Sequence, residues 1–413
     1  MFELYAQPSH SVKRPLKACM LAYTFYESDG RVMRYAETLV QHGWLVEAIV
    51  LNRGGQPEEE IINGVNVLRI QQRVKNESGK FSYLSRVIKF FVLSMFEVTR
   101  RHLKEPYDLI HVHSVPDFEV FAALIPKVKG AKIILDIHDI VPEFYAAKFK
   151  VQEDSLVFSA LKIVERLSAS FADHVIIAND LWLDKITARS TTRDKCSSFI
   201  NYPDLSIFHP DLRTRNDDGK FIMMYPGTLN WHQGLDIAVN AVALALKDAP
   251  GLELHIVGEG SAKPELYKLV EALQLSSKVF ISSPVPLREI ASVMANADLG
   301  IVPKRNDLFG GDAFSTKILE FMALGVPLVV ADTRIDKYYF NEFLLRFFKS
   351  GDVKDLARVM VDAYHHREQN SQLAARAFEY ARENSWGWKS GEYMAIVNEL
   401  VNCQHKGAIG KCA

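Results

Sequence analysis

The sequence has little of what marks disulfide-rich, metal-binding or membrane-spanning proteins. Its 413 residues include four cysteines, and these are scattered with no Cys-x-x-Cys or Cys/His spacing. This scarcity argues against a structural zinc site and against a disulfide framework. The longest strongly apolar stretch, 87–98, is interrupted by Lys89 and contains Glu97. It is too short and too polar to span a bilayer.

The sequence also lacks an excess of charge of either sign. Lysine and arginine number 49 against 50 aspartate and glutamate, for a net charge of −1, so there is no general field that would attract nucleic acid. The composition is 48% hydrophobic and 24% charged, which is typical of soluble globular domains. Residues 2–11 lack the basic-then-apolar order of a signal peptide. We therefore expect a protein of the reducing cytoplasm.

Short apolar runs alternate with segments of helical periodicity along most of the chain, which is typical of βαβ units with parallel sheets. Strands are predicted over 16–25, 45–52, 65–70, 109–113, 132–138, 174–179 and 197–201, then over 221–225, 252–257, 279–282, 299–303 and 327–331. Helices are predicted over 31–41, 82–103, 118–128, 155–170 and 181–188, then over 234–247, 263–273, 287–296 and 315–324, with a helical tail.

A polar stretch over 201–219 contains Pro203 and Pro210 and interrupts this alternation, as a linker would. We predict two doubly wound, Rossmann-like α/β domains over 1–205 and 206–385, followed by a final helix over 386–413. In such folds ligands bind outside the carboxyl ends of the parallel strands.

The segment 310–331 holds the residues that best indicate a ligand site. A loop with two glycines and Asp312 precedes a predicted helix that starts near Ser315 and Thr316 and carries Lys317 and Glu320. A helix N-terminus offers unpaired N–H groups and a positive dipole end, which suit a phosphate. Carboxylates accept hydrogen bonds and therefore suit paired sugar hydroxyls. The alternative for Glu320 is an acidic residue on a solvated helix.

This segment resembles the Glu-x7-Glu region of retaining GT-B glycosyltransferases of glycosyltransferase family 4. The rest of the chain agrees with that family in order, although no single motif is decisive. The matching segments are Asp29-Gly30-Arg31 with Tyr35-Ala36, 108–117, 134–139, 226–235, 254–260 and 297–303. The resemblance extends from about Leu16 to Val401.

The resemblance implies roles for the residues of the donor domain. Glu320 would bind the ribose of a nucleotide-sugar, and Asp312 would contact the transferred sugar. The Asp312 side chain is one methylene shorter than the Glu that the family has at this position. Gly227 and Gly258, in the turns after two strands, would contact the nucleotide-sugar, as would Thr228 and Gln233. Where the family places an Arg and a Lys for the diphosphate, this chain has the neutral Thr228 and Gln233. Candidate substitutes are the backbone at Ser315 and Thr316 together with three cations, Lys317, Lys304 and Arg305.

Three further residues come from the first half of the chain. His138 matches the family's histidine at a strand end close to the reacting sugar carbon, and it is predicted to be catalytic together with Asp312. Its alternative is a histidine bonded to backbone. Gly30 and Arg31 open the first helix, where they would contact donor phosphate or acceptor. The alternative there is a plain turn with a solvated Arg31.

The implied reaction moves a sugar from a nucleotide-sugar, with UDP favoured by family habit, to a hydroxyl acceptor with retention of configuration. The sequence has no Asp-x-Asp, the triplet with which another class of sugar transferases holds a metal, so we expect neither metal nor cofactor. The acceptor would be a glycan or lipid-linked glycan of bacterial polysaccharide or glycolipid synthesis. Two rivals stay open: a nucleotide-sugar epimerase and a non-catalytic partner subunit. The partner subunit would be favoured by Thr228, Gln233 and Asp312, because each weakens a contact that the family makes.

The segment 81–104 combines apolar residues at helical spacing with several lysines and arginines. A basic amphipathic helix of this kind can lie on an anionic membrane. Apolar residues around most of the helix are the alternative sign of a core helix. The prediction is a peripheral contact with the inner face of the cell membrane.

Overall fold

The computed structural model describes residues 14–73, 80–149, 152, 154–215, 218–307 and 309–407. The chain forms two compact units, one of Met1–Leu135 with Val397–Ala413 and the other of Asp136–Ile396. The domain boundaries proposed from the sequence, at 205 and 385, stay predictions. Within the described residues, no helix combines the length and apolarity needed to cross a bilayer.

The first unit is built on a mainly parallel sheet. Its strands are β1 (Lys17–Ala22), β2 (Leu45–Asn52), β3 (Glu59–Ile62), β4 (Val65–Gln72), β5 (Leu109–His113) and the start of β6 (Lys132–Ile137), and its helices are α1 (Gly30–Gln41), α2 (Lys80–Lys104) and α3 (Leu124–Val128). The strands run in the order β3-β4-β2-β1-β5, with β3 antiparallel to β4. Every residue of β1 is buried, as expected for a central parallel strand covered on both faces.

The second unit starts with the end of β6 and continues with two strands and three helices. These are β7 (His174–Ile177) and β8 (Cys196–Ser198), with α4 (Val141–Phe149), α5 (Leu156–Phe171) and α6 (Asp180–Arg189). Helix α6 begins where the Asn179 side chain accepts a hydrogen bond from the backbone N–H of Trp182, at 2.9 Å. This N-cap supplies a partner for one of the otherwise unpaired N–H groups of the first turn.

A six-stranded sheet forms the rest of the second unit. Its strands are β9 (Phe221–Pro226), β10 (Leu252–Val257), β11 (Val279–Ser282), β12 (Leu299–Val302), β13 (Leu328–Ala331) and β14 (Arg346–Phe348). Its helices are α7 (Leu235–Ala245), α8 (Lys263–Ala272), α9 (Leu287–Ala295), α10 (Thr316–Ala323), α11 (Arg334–Tyr339), α12 (Val353–His365), α13 (Arg367–Glu383) and α14 (Trp386–Gly407).

The order of this sheet fixes where a ligand can bind. The strands run β11-β10-β9-β12-β13-β14 and are parallel throughout. The chain order reverses between β9 and β12, so the loops after these two strands diverge at a topological switch point. A crevice opens there outside the carboxyl ends of the strands. The loop after β9 begins at Gly227, and the loop after β12 leads into α10.

Several predicted elements differ from the structure. The helix predicted over 118–128 is a 3-10 segment, Asp117–Ala123, followed by the short α3. The elements β3, α4, α11 and β14 were not predicted, because segments of three to nine residues show too few periods to stand out. The two Rossmann-like parallel-sheet architectures are as predicted.

Candidate functional site

A cavity of about 170 Å³ lies at the switch point of the second unit. Its walls come from the loop after β9, the loop after β12 and the first turn of α10. The lining residues are His232, Gln233, Lys304, Phe309, Gly310, Ala313, Phe314, Ser315, Thr316 and Lys317. Five residues predicted to bind the donor are therefore brought to one cavity, namely Gln233, Lys304, Ser315, Thr316 and Lys317.

The amino end of α10 faces this cavity, and it carries polar groups that have no hydrogen-bond partner among the described residues. Ser315 occupies the N-cap position, yet its side chain caps no backbone N–H. Its residue is only 8% exposed, and among the described residues its Oγ has no hydrogen-bond partner. The N–H groups of a first helical turn also lack intrahelical partners. A buried hydroxyl and a helix N-terminus together form a site for an anion.

Lys317 adds a cation in the same first turn. Its Nζ lies 5.1 Å from the centre of the Tyr225 ring, and a Cβ placed on Gly227 would come within 2.6 Å of its Cε. Burial lowers the pKa of Lys317 to about 8, with Glu320 opposing this shift and Lys304 adding to it. An ammonium with so little water around it gains strongly when a phosphate binds.

The other two candidate cations already have acidic partners. Lys304 is 3% exposed, donates to the Ala313 carbonyl at 2.7 Å and pairs with Asp336 at 2.9 Å. Arg305 makes two hydrogen bonds to the carboxylate of Asp236, at 3.0 and 2.6 Å. Lys304 lines the cavity, and its contact with a phosphate stays a prediction. The Arg305 guanidinium is already paired with the Asp236 carboxylate.

Asp312 lies in a network that the sequence did not indicate. Its carboxylate accepts hydrogen bonds from Arg334, with 2.7 Å between Nε and Oδ1, and from Lys185, with 3.1 Å between Nζ and Oδ2. The Asn179 side-chain amide donates to its carbonyl at 3.0 Å. Asp312 is 4% exposed, so these contacts fix the loop before α10 against α6 and α11. A contact with the transferred sugar stays a prediction.

The remaining donor-domain candidates lie around the same strand ends without lining the cavity. Glu320 stands on α10 and interacts electrostatically with Lys317. The Thr228 carbonyl accepts a hydrogen bond from the Tyr225 hydroxyl at 2.9 Å. Gly258 approaches the turn after β9 so closely that an added Cβ would lie 1.8 Å from the Gly227 carbonyl oxygen. Gly258 is thus required by a close backbone approach, and Gly227 has a φ of +132°, a conformation that favours glycine.

His138 follows β6 and is oriented by a buried acid. Its Nε2 lies 3.1 Å from Oδ2 of Asp136, which is fully buried. A carboxylate that accepts from one ring nitrogen fixes the tautomer and the ring plane. A catalytic role for His138 stays a prediction.

In the first unit, Gly30 and Arg31 begin α1. The Asp29 side chain caps this helix by accepting from the N–H groups of Arg31 and Val32, each at 3.2 Å. Arg31 is 5% exposed and lies 5.4 Å from the Tyr35 ring centre. The alternative of a solvated Arg31 is therefore wrong, and its contact with a ligand stays a prediction.

Five cavity residues were not among the predicted site residues, namely His232, Phe309, Gly310, Ala313 and Phe314. The Phe309 ring packs against three aromatic neighbours, with centroid distances of 5.3 Å to Phe144, 5.9 Å to Trp182 and 6.0 Å to His232. His232 directly precedes Gln233, and this adjacency was the one available signal. Neither ring could be placed in the cavity from the sequence, because the loop conformations decide which side chains converge.

A larger cavity, of about 530 Å³, lies at the opposite ends of the strands of the same sheet. It is lined near the amino ends of the strands, for example by Phe221, Asp298 and Pro327. Its Arg213 already donates to the Ala297 carbonyl at 2.6 Å and to Asp298 at 3.1 Å. The smaller cavity lies where parallel-sheet folds bind ligands, and the larger one does not.

Comparisons with known proteins agree with this geometry. The glycosyl transferase 4-like domain model matches residues 30–197, and the model called glycosyl transferases group 1 matches residues 212–383. The chain is 23% identical over 355 residues to D-inositol 3-phosphate glycosyltransferase of Thermomonospora curvata, across 80% of each chain.

Two solved structures share the fold. Sucrose-phosphate synthase from Thermosynechococcus elongatus superimposes with a TM-score of 0.76 at 15% identity, over 94% of this chain and 99% of that one. Anabaena HepE in complex with UDP and glucose gives a TM-score of 0.69 at 15% identity, over 92% of this chain and 99% of that one.

The fold and the matches define the class: the chain is a glycosyltransferase with the GT-B fold. Within that class it combines a glycosyl transferase 4-like domain with a domain of the glycosyl transferases group 1. The predictions of the fold and of the enzyme class are confirmed.

Proposed function

We propose that the cavity at α10 holds the diphosphate of a nucleotide-sugar donor. The observation that carries this proposal is the buried, unpartnered Ser315 hydroxyl at the amino end of α10, beside the Lys317 ammonium. The helix N-terminus, the hydroxyl and the cation all favour negative charge. Glu320, farther along α10, would accept hydrogen bonds from the ribose hydroxyls.

The donor is proposed to carry UDP and to react without a metal. Structures of HepE in complex with UDP, and with UDP and glucose, support the choice of base by similarity of fold. Negative charge grows on the leaving diphosphate in the transition state, and fixed donors and cations that face it lower the barrier. Lys317 and the end of α10 would supply this stabilisation in place of Mg²⁺.

Transfer to a hydroxyl acceptor with retention of configuration is the reaction we infer. A departing diphosphate oxygen would take the acceptor proton on the face from which the diphosphate leaves, so no carboxylate nucleophile is required. His138, oriented by Asp136, would hydrogen-bond the sugar. The acceptor is proposed to be a glycan or a lipid-linked glycan of bacterial polysaccharide or glycolipid synthesis.

Titration calorimetry with UDP and with GDP tests the donor site. We expect UDP to bind with a Kd that EDTA does not change. Glu320→Ala should weaken binding at least tenfold, because the loss of hydrogen bonds to a charged acceptor costs about 1.5–3 kcal/mol. Glu289→Ala, an exposed acid in the first turn of α9, is the matched control and should bind as the wild type does.

The outcome of this titration also separates the rival functions. If neither nucleotide binds, the donor proposal is wrong. If UDP binds but no acceptor receives a sugar and the donor is not hydrolysed, the result supports a non-catalytic partner subunit. An epimerase would convert the donor sugar without an acceptor, which NMR of the donor would detect.

We also propose that the first unit contacts an anionic membrane through α2 and α3. From Leu84 onward, α2 exposes a row of large apolar side chains, and α3, which packs against α2, adds more. The side chains at 80–83 lie outside the described ones. The exposed apolar residues are Leu84, Ile88, Val92, Met95, Phe96 and Leu103 on α2, with Leu124, Ile125 and Val128 on α3. We call these nine residues the α2–α3 surface.

The charges around the α2–α3 surface indicate which kind of partner it contacts. Lys89, Arg100 and Lys104 are exposed on the same helix, and the acidic Glu97 is bonded by Arg100 and Arg101. Apolar side chains bordered by lysine and arginine match the acyl and anionic headgroup layers of a bilayer. This arrangement favours a membrane that carries a lipid-linked acceptor.

Vesicle cosedimentation tests this contact. Wild-type protein should bind phosphatidylglycerol vesicles and not phosphatidylcholine vesicles. The double variant Val92→Ser/Phe96→Ser should lose about tenfold or more in partitioning, because each buried apolar side chain contributes about 1.5–3 kcal/mol. The matched control is Leu156→Ser/Ile163→Ser, which changes two exposed residues of α5. Equal binding by both variants, or loss of self-association in place of lipid binding, would refute the proposal.

A further inference from the structure

His232 lines the cavity at the amino end of α10. Its carbonyl accepts from the Arg305 N–H at 2.9 Å, which fixes the loop, and its ring meets the Phe309 ring nearly edge-on at 6.0 Å. Among the described residues, neither ring nitrogen has a hydrogen-bond partner. His232 is partly buried and lines the cavity together with Ser315 and Lys317, so its imidazole is placed to donate a hydrogen bond to an anion bound there.

The surroundings of His232 favour its neutral form when the cavity holds no anion. Burial is the largest cause of a lowered pKa of His232, and the nearby Lys317 and Lys304 add to it, while Asp307 opposes them. The charge of Arg305 is taken up by Asp236. A phosphate that binds between His232 and Lys317 reverses the local field and favours the imidazolium.

We propose that His232 hydrogen-bonds the diphosphate of the donor and takes up one proton from solvent when the nucleotide binds. This inference rests on the proposed donor site and adds a proton-linked ligand to it. The cation formed in this way stands next to Gln233, at the place where related enzymes are expected to carry a lysine. The protein would thus acquire its second phosphate cation only when the phosphate is present.

The proton uptake gives the affinity a defined pH dependence. Binding raises the pKa of His232, so the nucleotide binds more tightly as the pH falls through the interval between the free and bound pKa values. Each unit of that rise is worth a tenfold change in Kd. Lys317 and the terminal phosphate of UDP, which ionises near pH 6, titrate in every variant, so the difference between wild type and variant isolates His232.

Calorimetry of UDP binding from about pH 5.5 to 8.5, in buffers of different ionisation enthalpy, tests the inference. Wild-type protein should take up close to one more proton than His232→Gln at pH 6 to 7. The ratio of their Kd values should grow about tenfold from pH 8 to pH 6. His232→Asn is a second variant that keeps a neutral donor. His255→Gln, which removes a histidine bonded to Glu253 outside the cavity, should behave as the wild type.

The outcomes separate this inference from the donor proposal. If the wild type binds UDP and the His232 variants follow a parallel pH profile with equal proton uptake, the inference is wrong and the donor site stands. If the wild type binds no nucleotide diphosphate, both fall. Melting temperatures measured for each variant distinguish a lost ligand contact from a lost fold.

Discussion

Replacing Lys317 by methionine should lower kcat by a factor of about 10² to 10³, which is the effect of removing one fixed donor from a developing oxyanion. Methionine keeps most of the volume of the lysine stem beside Tyr225 and Gly227 while it removes the ammonium. Because Lys304 is paired with Asp336, the described part of the chain offers no equally placed cation in the first turn of α10. Transfer assayed with a nucleotide-sugar measures the effect.

The same variant should be at least as stable as the wild type. The pKa of Lys317 is lowered to about 8, so at neutral pH its ammonium is held in an environment that disfavours it. This cost is present below pH 8 and fades as the pH rises toward the ordinary lysine value, so the free energy of unfolding should increase over that interval. Methionine removes the cost at neutral pH. Lower activity without lower stability is the result expected for a cation that binds the donor diphosphate.

Lys337→Met is the matched control for this experiment. Lys337 lies on α11, is partly exposed and pairs with Glu342, so its loss should leave both kcat and the melting temperature nearly unchanged. Full activity in Lys317→Met would mean that the diphosphate lies elsewhere. A large loss of stability would mean that Lys317 has a structural role.

The place of the site could be predicted because it depends on local patterns. The loop with Asp312, the helix start at Ser315 and Thr316, and the turn at Gly227 each follow an apolar strand or precede a periodic helix. Parallel strands bring such loops to one edge, so the convergence of Gln233 with Lys317 follows from the order of elements. This part of the prediction required no long-range contact.

The partners of the charged residues could not be predicted in the same way. Asp312 is bonded by Arg334, which is 22 positions away, and by Lys185, which is 127 positions away. Lys304 is paired with Asp336 on α11, an element too short to show a period. Which acid meets which base depends on side-chain packing between elements. The sequence therefore indicates the charged residues of a site more reliably than it separates ligand-binding charges from paired ones.

Gly258→Ala should destabilise the second unit by about 3 kcal/mol, at the upper end of the usual cost of overpacking. The added Cβ would lie 1.8 Å from the Gly227 carbonyl oxygen and 2.9 Å from its carbon. Both are backbone atoms, so no side-chain rotation can relieve the clash. Urea unfolding monitored by circular dichroism measures the loss.

Gly391→Ala provides the opposite case within the same chain. Gly391 is exposed on α14, and nothing lies within 4 Å of a Cβ placed there. Alanine should therefore stabilise the helix by about 0.5–1 kcal/mol. Equal effects of the two substitutions would mean that the turns after β9 and β10 are not in close contact.

The consequence of Gly258→Ala for the donor site follows from what must move. The Gly227 turn lies against the Lys317 side chain, because a Cβ added to Gly227 would lie 2.6 Å from the Lys317 Cε and 3.2 Å from its Nζ. A displaced turn therefore displaces the ammonium from the amino end of α10. The folded fraction of Gly258→Ala should bind UDP at least tenfold more weakly. Wild-type affinity in that fraction would show that the phosphate does not depend on the Gly227 turn, and that Ser315 and the helix end bind it without Lys317.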